Sequence, residues 1–141
     1  MIRLARVVDA LPEGFDAMRA EARAEGHSML DTLAAEWETG KTRFDRRGEA
    51  LFAAHSDETL AGIGGLTAEP PIPGAFRMRR FYVRSAFRRS GVARRLALAL
   101  LGAVERPGLV VTANAAAGSE AFWDSLGFIS DRRDGRTHIR R

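Results

Sequence analysis

Between residues 76 and 104 the sequence reads as a strand that passes through an arginine-rich loop straight into the most regular helix of the chain. Phe76–Val83 has the aromatic and apolar content of a strand, and Val92, Leu96, Ala99, Leu100 and Ala103 recur on one face of residues 91–104. A strand followed so closely by an amphipathic helix has to pack that helix back on its own sheet, so the fold is layered, helix on sheet.

The flanking segments extend the same pattern. Residues 2–8 read as a strand broken at Leu11-Pro12-Glu13, and Phe15, Met18 and Ala22 give residues 13–25 a helical stripe that Gly26 stops. Met29, Leu30, Leu33 and Trp37 predict a second helix ending at Gly40. Residues 50–55 and 60–67 form two strands around the turn 56–59, and Pro70, Pro71 and Pro73 mark a loop. Residues 109–113 form a short strand, and residues 119–126 a short helix stopped by Gly127. Residues 128–132 and 137–140 pair around the turn dipeptide Asp134-Gly135. The order β α α β β β α β α β β is that of a mixed α/β (α+β) fold, and 141 residues suffice for a single domain spanning 1–141.

Composition narrows the chemistry. With no cysteine the chain has no disulfide, no thiolate nucleophile and no cysteine-based metal site. The three histidines, His27, His55 and His138, share no ligand spacing, so no metal is expected. Arg3, Arg6 and Asp9 interrupt any leader-like apolar run, and the longest clean one, residues 96–101, is too short to span a bilayer. No membrane association is expected, and a cytoplasmic location is. The net charge of +4 conceals a segregation: residues 1–69 carry 13 acids against 8 bases, and residues 70–141 carry 5 acids against 14 bases. Eight arginines and no acid lie between Arg77 and Arg95. Arginine is a planar fork for phosphate and carboxylate, so an anionic ligand is expected there.

The loop-to-helix junction shows how such an anion would be held. The first turn of a helix has unpaired N–H groups at the positive end of the macrodipole. Gly91 and Ala93 remove side-chain bulk where a phosphate would approach, and Arg88, Arg89 and Arg94 add charge. The spacing is neither that of a Walker loop nor that of a dinucleotide fingerprint.

Arg88-x-x-Gly91-x-Ala93 resembles the Gln/Arg-x-x-Gly-x-Gly/Ala motif of the GNAT superfamily of acyl-CoA-dependent N-acetyltransferases. The preceding Arg80-Phe81-Tyr82-Val83 is similar to that family's fourth strand, and Ala121-Phe122-Trp123-Asp124-Ser125-Leu126-Gly127-Phe128 resembles its second signature, an aromatic helix ending in Leu-Gly-Phe. The resemblance implies a central mixed, mostly antiparallel sheet splayed between its fourth and fifth strands, with acetyl-CoA as co-substrate. It implies that the pantetheine arm pairs with Phe81, Tyr82 and Val83, and that the pyrophosphate rests on Arg88, Arg89, Ser90, Gly91, Val92, Ala93 and Arg94. A substrate amine would attack the thioester directly, with a strand N–H polarising its carbonyl. Asn114, Ser119 and Trp123 are candidates to reach the cofactor, Ser119 also to cap its helix.

Two positions depart from the family. Where many members carry a tyrosine acid, this chain has Trp123, and where some carry a glutamate base early in the fourth strand it reads Arg77-Met78-Arg79-Arg80. Tyr82, the only tyrosine, is therefore the candidate phenol, and Glu36 the candidate base, with His27, Glu38 and Glu69 beside it. Trp37 and Phe44 belong either to the core or to the acceptor cleft. At least one of Arg77, Arg79 and Arg80 could face that cleft and hold a carboxylate, which suggests a small, acidic primary amine as acceptor. A non-catalytic acyl-CoA binder and a basic nucleic-acid-binding domain are the alternatives. The second lacks interleaved exposed aromatics, and no nucleic-acid partner is expected. The resemblance leaves a homodimer open.

Overall fold

The computed structural model describes residues 1–141. Seven strands form one sheet: β1 Ile2–Arg6, β2 Ala50–Ser56, β3 Thr59–Ala68, β4 Phe76–Val83, β5 Val111–Ala113, β6 Ile129–Arg133 and β7 Arg136–Arg140. Their order is β1-β2-β3-β4-β5-β7-β6, antiparallel throughout except for the parallel pair β4–β5. The mixed α/β architecture expected from the sequence is therefore the observed one, with β1 and β5 each two residues shorter than their apolar runs.

Helices α1 (Phe15–Ala24) and α2 (Met29–Thr39) cover one face of the sheet, and α3 (Val92–Val104) and α4 (Glu120–Ser125) the other. Phe15, Met18 and Ala22 of α1 and Leu30, Leu33 and Trp37 of α2 pack on Leu51, Ala53, Leu60 and Ile63. On the opposite face Ala97, Leu100, Leu101 and Val104 of α3 join Trp123 and Leu126 against Leu66, Phe76, Met78, Val111 and Ala113. Each inward stripe has the helical period that its sequence carries.

Two irregularities set the shape of β4. First, β4 and β5 pair only at Phe76↔Val111 and Arg77↔Thr112, so β4 from Met78 to Val83 runs on without a β5 neighbour. Second, Ile63 pairs with Tyr82 and Gly65 with Arg79, so two steps on β3 oppose three on β4. The additional residue is a bulge at Arg80, whose φ is 59°. The bulge reverses the alternation of the strand. Phe76 and Met78 face α3, and beyond the bulge it is Phe81 that faces α3 and α4, whereas Tyr82 turns to α1. Gly64 lies under the Phe81 ring, where a Cβ would come within 2.8 Å of it, so β3 is bare at the point where β4 buckles.

Candidate functional site

At the end of β4 the chain makes a short 3-10 turn, Ser85–Phe87, and then enters α3. Arg89 and Gly91 both have left-handed backbone, with φ of 63° and 85°. The amides of Arg88 and Arg95 bond to the carbonyls of Ser85 and Gly91, but the six N–H groups from Arg89 to Arg94 have no protein acceptor. Successive free N–H groups in turn conformation at the start of a 13-residue helix form an anion site. A cavity of about 200 Å³ opens over it, bounded by Val83, Phe87, Arg89, Gly91, Ala93 and Phe122. Arg89 and Arg94 stand exposed beside it and pair with no carboxylate. A larger depression, about 720 Å³, lies near Gly48, Pro70 and Arg106. It meets α3 at Ala103 and Val104, the C-terminal end of the helix, and so lacks the run of free N–H groups found at the start of α3.

The segregated charges of the sequence are largely reunited by folding. Arg77 pairs with Glu69 at 2.5 Å, Arg80 with Glu36 at 3.0 Å, Arg84 with Glu21 at 3.6 Å and Arg88 with Glu25 at 2.5 Å. Half of the eight-arginine cluster thus neutralises acids from the first half of the chain. The arginines left without a carboxylate are Arg79, Arg89, Arg94 and Arg95.

The buried pair Arg77–Glu69 sits where β4 and β5 part. Arg77 Nε donates to Glu69 Oε2 and Thr112 Oγ1, at 2.8 and 3.3 Å, and Nη2 and Nη1 donate to the carbonyls of Asp134 and Gly135, at 2.9 and 3.1 Å. The Thr112 hydroxyl also donates to Glu69 Oε2 at 2.7 Å. One guanidinium therefore joins the β3–β4 connection, both splaying strands and the β6–β7 turn. Glu69, a base candidate in the sequence, is buried in this clamp.

The other sequence candidates occupy varied positions. The Tyr82 hydroxyl donates to Glu25 Oε1 at 2.5 Å and Glu21 Oε2 at 3.1 Å, on the α1 face. Burial and those two carboxylates push its phenol well above the ordinary value, so it keeps its proton. Arg88 turns to the same cluster, donating to Glu25, to the Tyr82 oxygen and to the Val83 carbonyl. With its N–H on Ser85 as well, Arg88 braces the loop from behind. Glu36 accepts two hydrogen bonds from Arg80, at 3.1 and 3.0 Å, and holds the bulged residue in place. Glu38 is exposed, and the His27 ring lies edge-on to Tyr82 with centroids 6.3 Å apart. Trp37 and Phe44 are buried in the core.

Trp123 is buried among Phe81, Phe122 and Phe128, with ring centroids 5.2, 4.8 and 5.2 Å away, and so links α4 to β4. Asn114 is exposed immediately after β5. Ser119 occupies the N-cap of α4, but its hydroxyl donates to the Ala116 carbonyl instead of accepting from the helix, which corrects the capping expectation. No local sequence signal marks the polar chain at His138. Buried on β7, its ring lies 2.8 Å from Thr137 Oγ1 and 3.2 Å from Asp124 of α4.

Glu25 is expected to make the loop brace acid-sensitive. Hydrogen bonds from Arg88 and then Tyr82 hold its carboxyl down at about 2. A depressed folded-state pKa stabilises above the ordinary carboxylate range and loses that contribution as pH falls through about 2. The difference in melting temperature between the protein and Glu25→Gln should therefore shrink steadily as pH is lowered from about 4.5 toward 2. A constant difference would show that the brace contributes through packing alone.

No helix is long and apolar enough to cross a membrane, and no group of acidic or histidine side chains could hold a metal ion. A family model described as an acetyltransferase (GNAT) domain matches residues 15–138. No curated protein sequence matches the chain. Among solved structures, a candidate acetyltransferase from Exiguobacterium sp. 255-15 is similar over 99% of this chain and 92% of its own, at 20% identity and a TM-score of 0.86. A GNAT-family acetyltransferase of Staphylococcus aureus Mu50 is similar over 99% and 98%, at 11% identity and 0.79. The PaiA N-acetyltransferase of Thermoplasma acidophilum, solved in complex with coenzyme A, is similar over 99% and 96%, at 16% identity and 0.68.

Proposed function

The chain belongs to the GNAT acetyltransferase family, and from that membership we propose that it transfers an acetyl group from acetyl-CoA to a primary amine of a small molecule. The observation that carries the reading is the run of six acceptor-free N–H groups, Arg89–Arg94, at the start of α3. These amides would hold the pyrophosphate, with Arg89 and Arg94 adding charge, and Ser90, Val92 and Ala93 contributing through their backbone. The free edge of β4 at Phe81, Tyr82 and Val83 would pair with the pantetheine arm in the splay, near Asn114 and the start of α4 at Ser119. The neighbour solved with coenzyme A supports the choice of co-substrate.

Acetyl-CoA supplies an acyl carbon bound to a good leaving group. The amine nitrogen forms a bond to that carbon, the carbon–sulfur bond breaks, and CoA leaves as the thiol. The bulge at Arg80 leaves β4 with one more residue than β3 can pair, which suits a backbone N–H directed at the thioester oxygen. Glu36, beside the bulge, is the carboxylate we assign to accept the ammonium proton, directly or through water. Tyr82 is better suited to bracing Arg88 than to protonating the leaving sulfur, because its own proton is shared between two carboxylates. A thiolate, whose conjugate acid is far more acidic than an alcohol, can leave without a dedicated donor. A cytoplasmic setting, where acetyl-CoA is made and used, fits this reading.

A CoA-binding protein without turnover is the second reading, favoured by the ion pair that engages Glu36. Free-thiol release from acetyl-CoA with a panel of primary amines separates the two. Amine-dependent release is expected, with Glu36→Gln slowing it at least tenfold and Tyr82→Phe changing it less than threefold. CoA binding with no release for any amine would overturn transfer.

A further inference from the structure

We propose that Arg79 is the residue that selects the acceptor, and that the acceptor is a primary amine carrying a carboxylate; this rests on the transfer reading above and gives it a substrate class. Arg79 is the one arginine of β4 with no acid against it. It lies two residues beyond the last β4–β5 pair and directly before the bulge, hence at the mouth of the splay. It projects from the same face as Arg77 and Arg80, opposite to Phe81 and the α3–α4 layer.

The side chain is half-buried, and its Nε donates to Thr67 Oγ1 at 3.0 Å. Both Nη atoms lack a protein acceptor yet remain open to solvent. Holding a partly desolvated guanidinium without a counter-ion is unfavourable, so it needs a reason. The neighbouring carboxylates, Glu69 and Glu36, are already bound to Arg77 and Arg80. Three guanidiniums against two carboxylates leave one positive charge, centred on Arg79. Burial and those two flanking arginines push its pKa down, the signature of a cation lacking an anion.

With Nε engaged, the group presents its end, two parallel N–H donors that match a planar carboxylate. A monoanion balances the single uncompensated charge, whereas a phosphate dianion would overfill it. The amine at the other end of such a molecule reaches toward the bulge one residue on.

The test uses the protein loaded with CoA and matched pairs of probes: glycine, β-alanine, 4-aminobutyrate and glutamate against their amides, with O-phosphoethanolamine as a separate arm. Calorimetry reads binding, and thiol release from acetyl-CoA reads kcat and KM. At least one carboxylate should bind tenfold or more tightly than its amide. Arg79→Gln should remove that preference by raising KM, with CoA affinity and KM for the amides unchanged within about threefold. Arg79→Lys, which keeps the charge and loses the fork, should fall between the two. Carboxylate-selective binding without thiol release would leave the Arg79 site standing and remove only the transfer reading. Equal binding of acid and amide, preference for the phosphate, or a preference that survives Arg79→Gln would each overturn the proposal.

Discussion

Gly91→Glu is expected to abolish CoA binding while the fold survives. Gly91 has φ of 85°, and a Cβ placed on it would meet nothing within 4 Å, so a side chain has room and points into open space. The backbone resists, because a non-glycine residue in left-handed conformation costs roughly 1–2 kcal/mol. That cost lowers the melting temperature by several degrees and leaves the protein folded. The carboxylate, however, stands at the positive end of α3 among the N–H groups of Arg89–Arg94, where it competes with the pyrophosphate and repels it. A loss of at least a hundredfold in CoA affinity, about 2.7 kcal/mol, is expected by calorimetry. Gly91→Asn separates charge from strain, since asparagine tolerates the same conformation without charge; its loss should be well under tenfold. Affinity within threefold of the parent in Gly91→Glu would remove the pyrophosphate from these amides.

Arg77→Met carries the second large effect, on stability. Its removal leaves Glu69 a buried carboxylate with no counter-charge, bonded only by the Thr112 hydroxyl, and strands the Asp134 and Gly135 carbonyls. Breaking a buried pair from one side costs roughly 3–5 kcal/mol, which in a chain of this size lowers the melting temperature by about 10 °C or more. Replacing both charges, Arg77→Met with Glu69→Leu, should recover a large part of that loss, because the stranded charge is gone. If the double variant were no more stable than Arg77→Met, the cost would reside in the carbonyl and hydroxyl contacts and not in the ion pair. Arg77→Met should also loosen the point where β4 and β5 separate, so CoA affinity should fall with stability in that variant and return with it in the double variant.

Much of the fold is legible in the sequence because each element announces itself locally. The stripe Val92, Leu96, Leu100 and the Gly91 before it mark α3, and Asp134-Gly135 marks the last hairpin. The cradle is legible for the same reason, since a helix start needs only its own residues. What local pattern conceals is pairing between distant segments. The arginine cluster at residues 77–95 suggests ligand charge throughout, yet Arg77, Arg80, Arg84 and Arg88 are matched to Glu69, Glu36, Glu21 and Glu25 across the fold. Removing those pairs leaves Arg79, Arg89, Arg94 and Arg95, of which Arg79 alone lies on β4. The bulge left a trace that strict alternation obscures. Apolar residues fall at Phe76 and Met78 and then at Phe81 and Val83, a slip of one position centred on Arg79-Arg80. That slip is why Tyr82 faces α1 and its carboxylates instead of sharing the face of Phe76.

The cradle carries the functional reading, and amide-resolved NMR of the protein titrated with CoA tests it most directly. The backbone N–H resonances of Arg89–Arg94 should shift first and furthest, followed by those of Phe81–Val83 along the free edge of β4. Shifts confined to the depression beside Gly48, Pro70 and Arg106, or no shift at the start of α3 at saturating CoA, would contradict it.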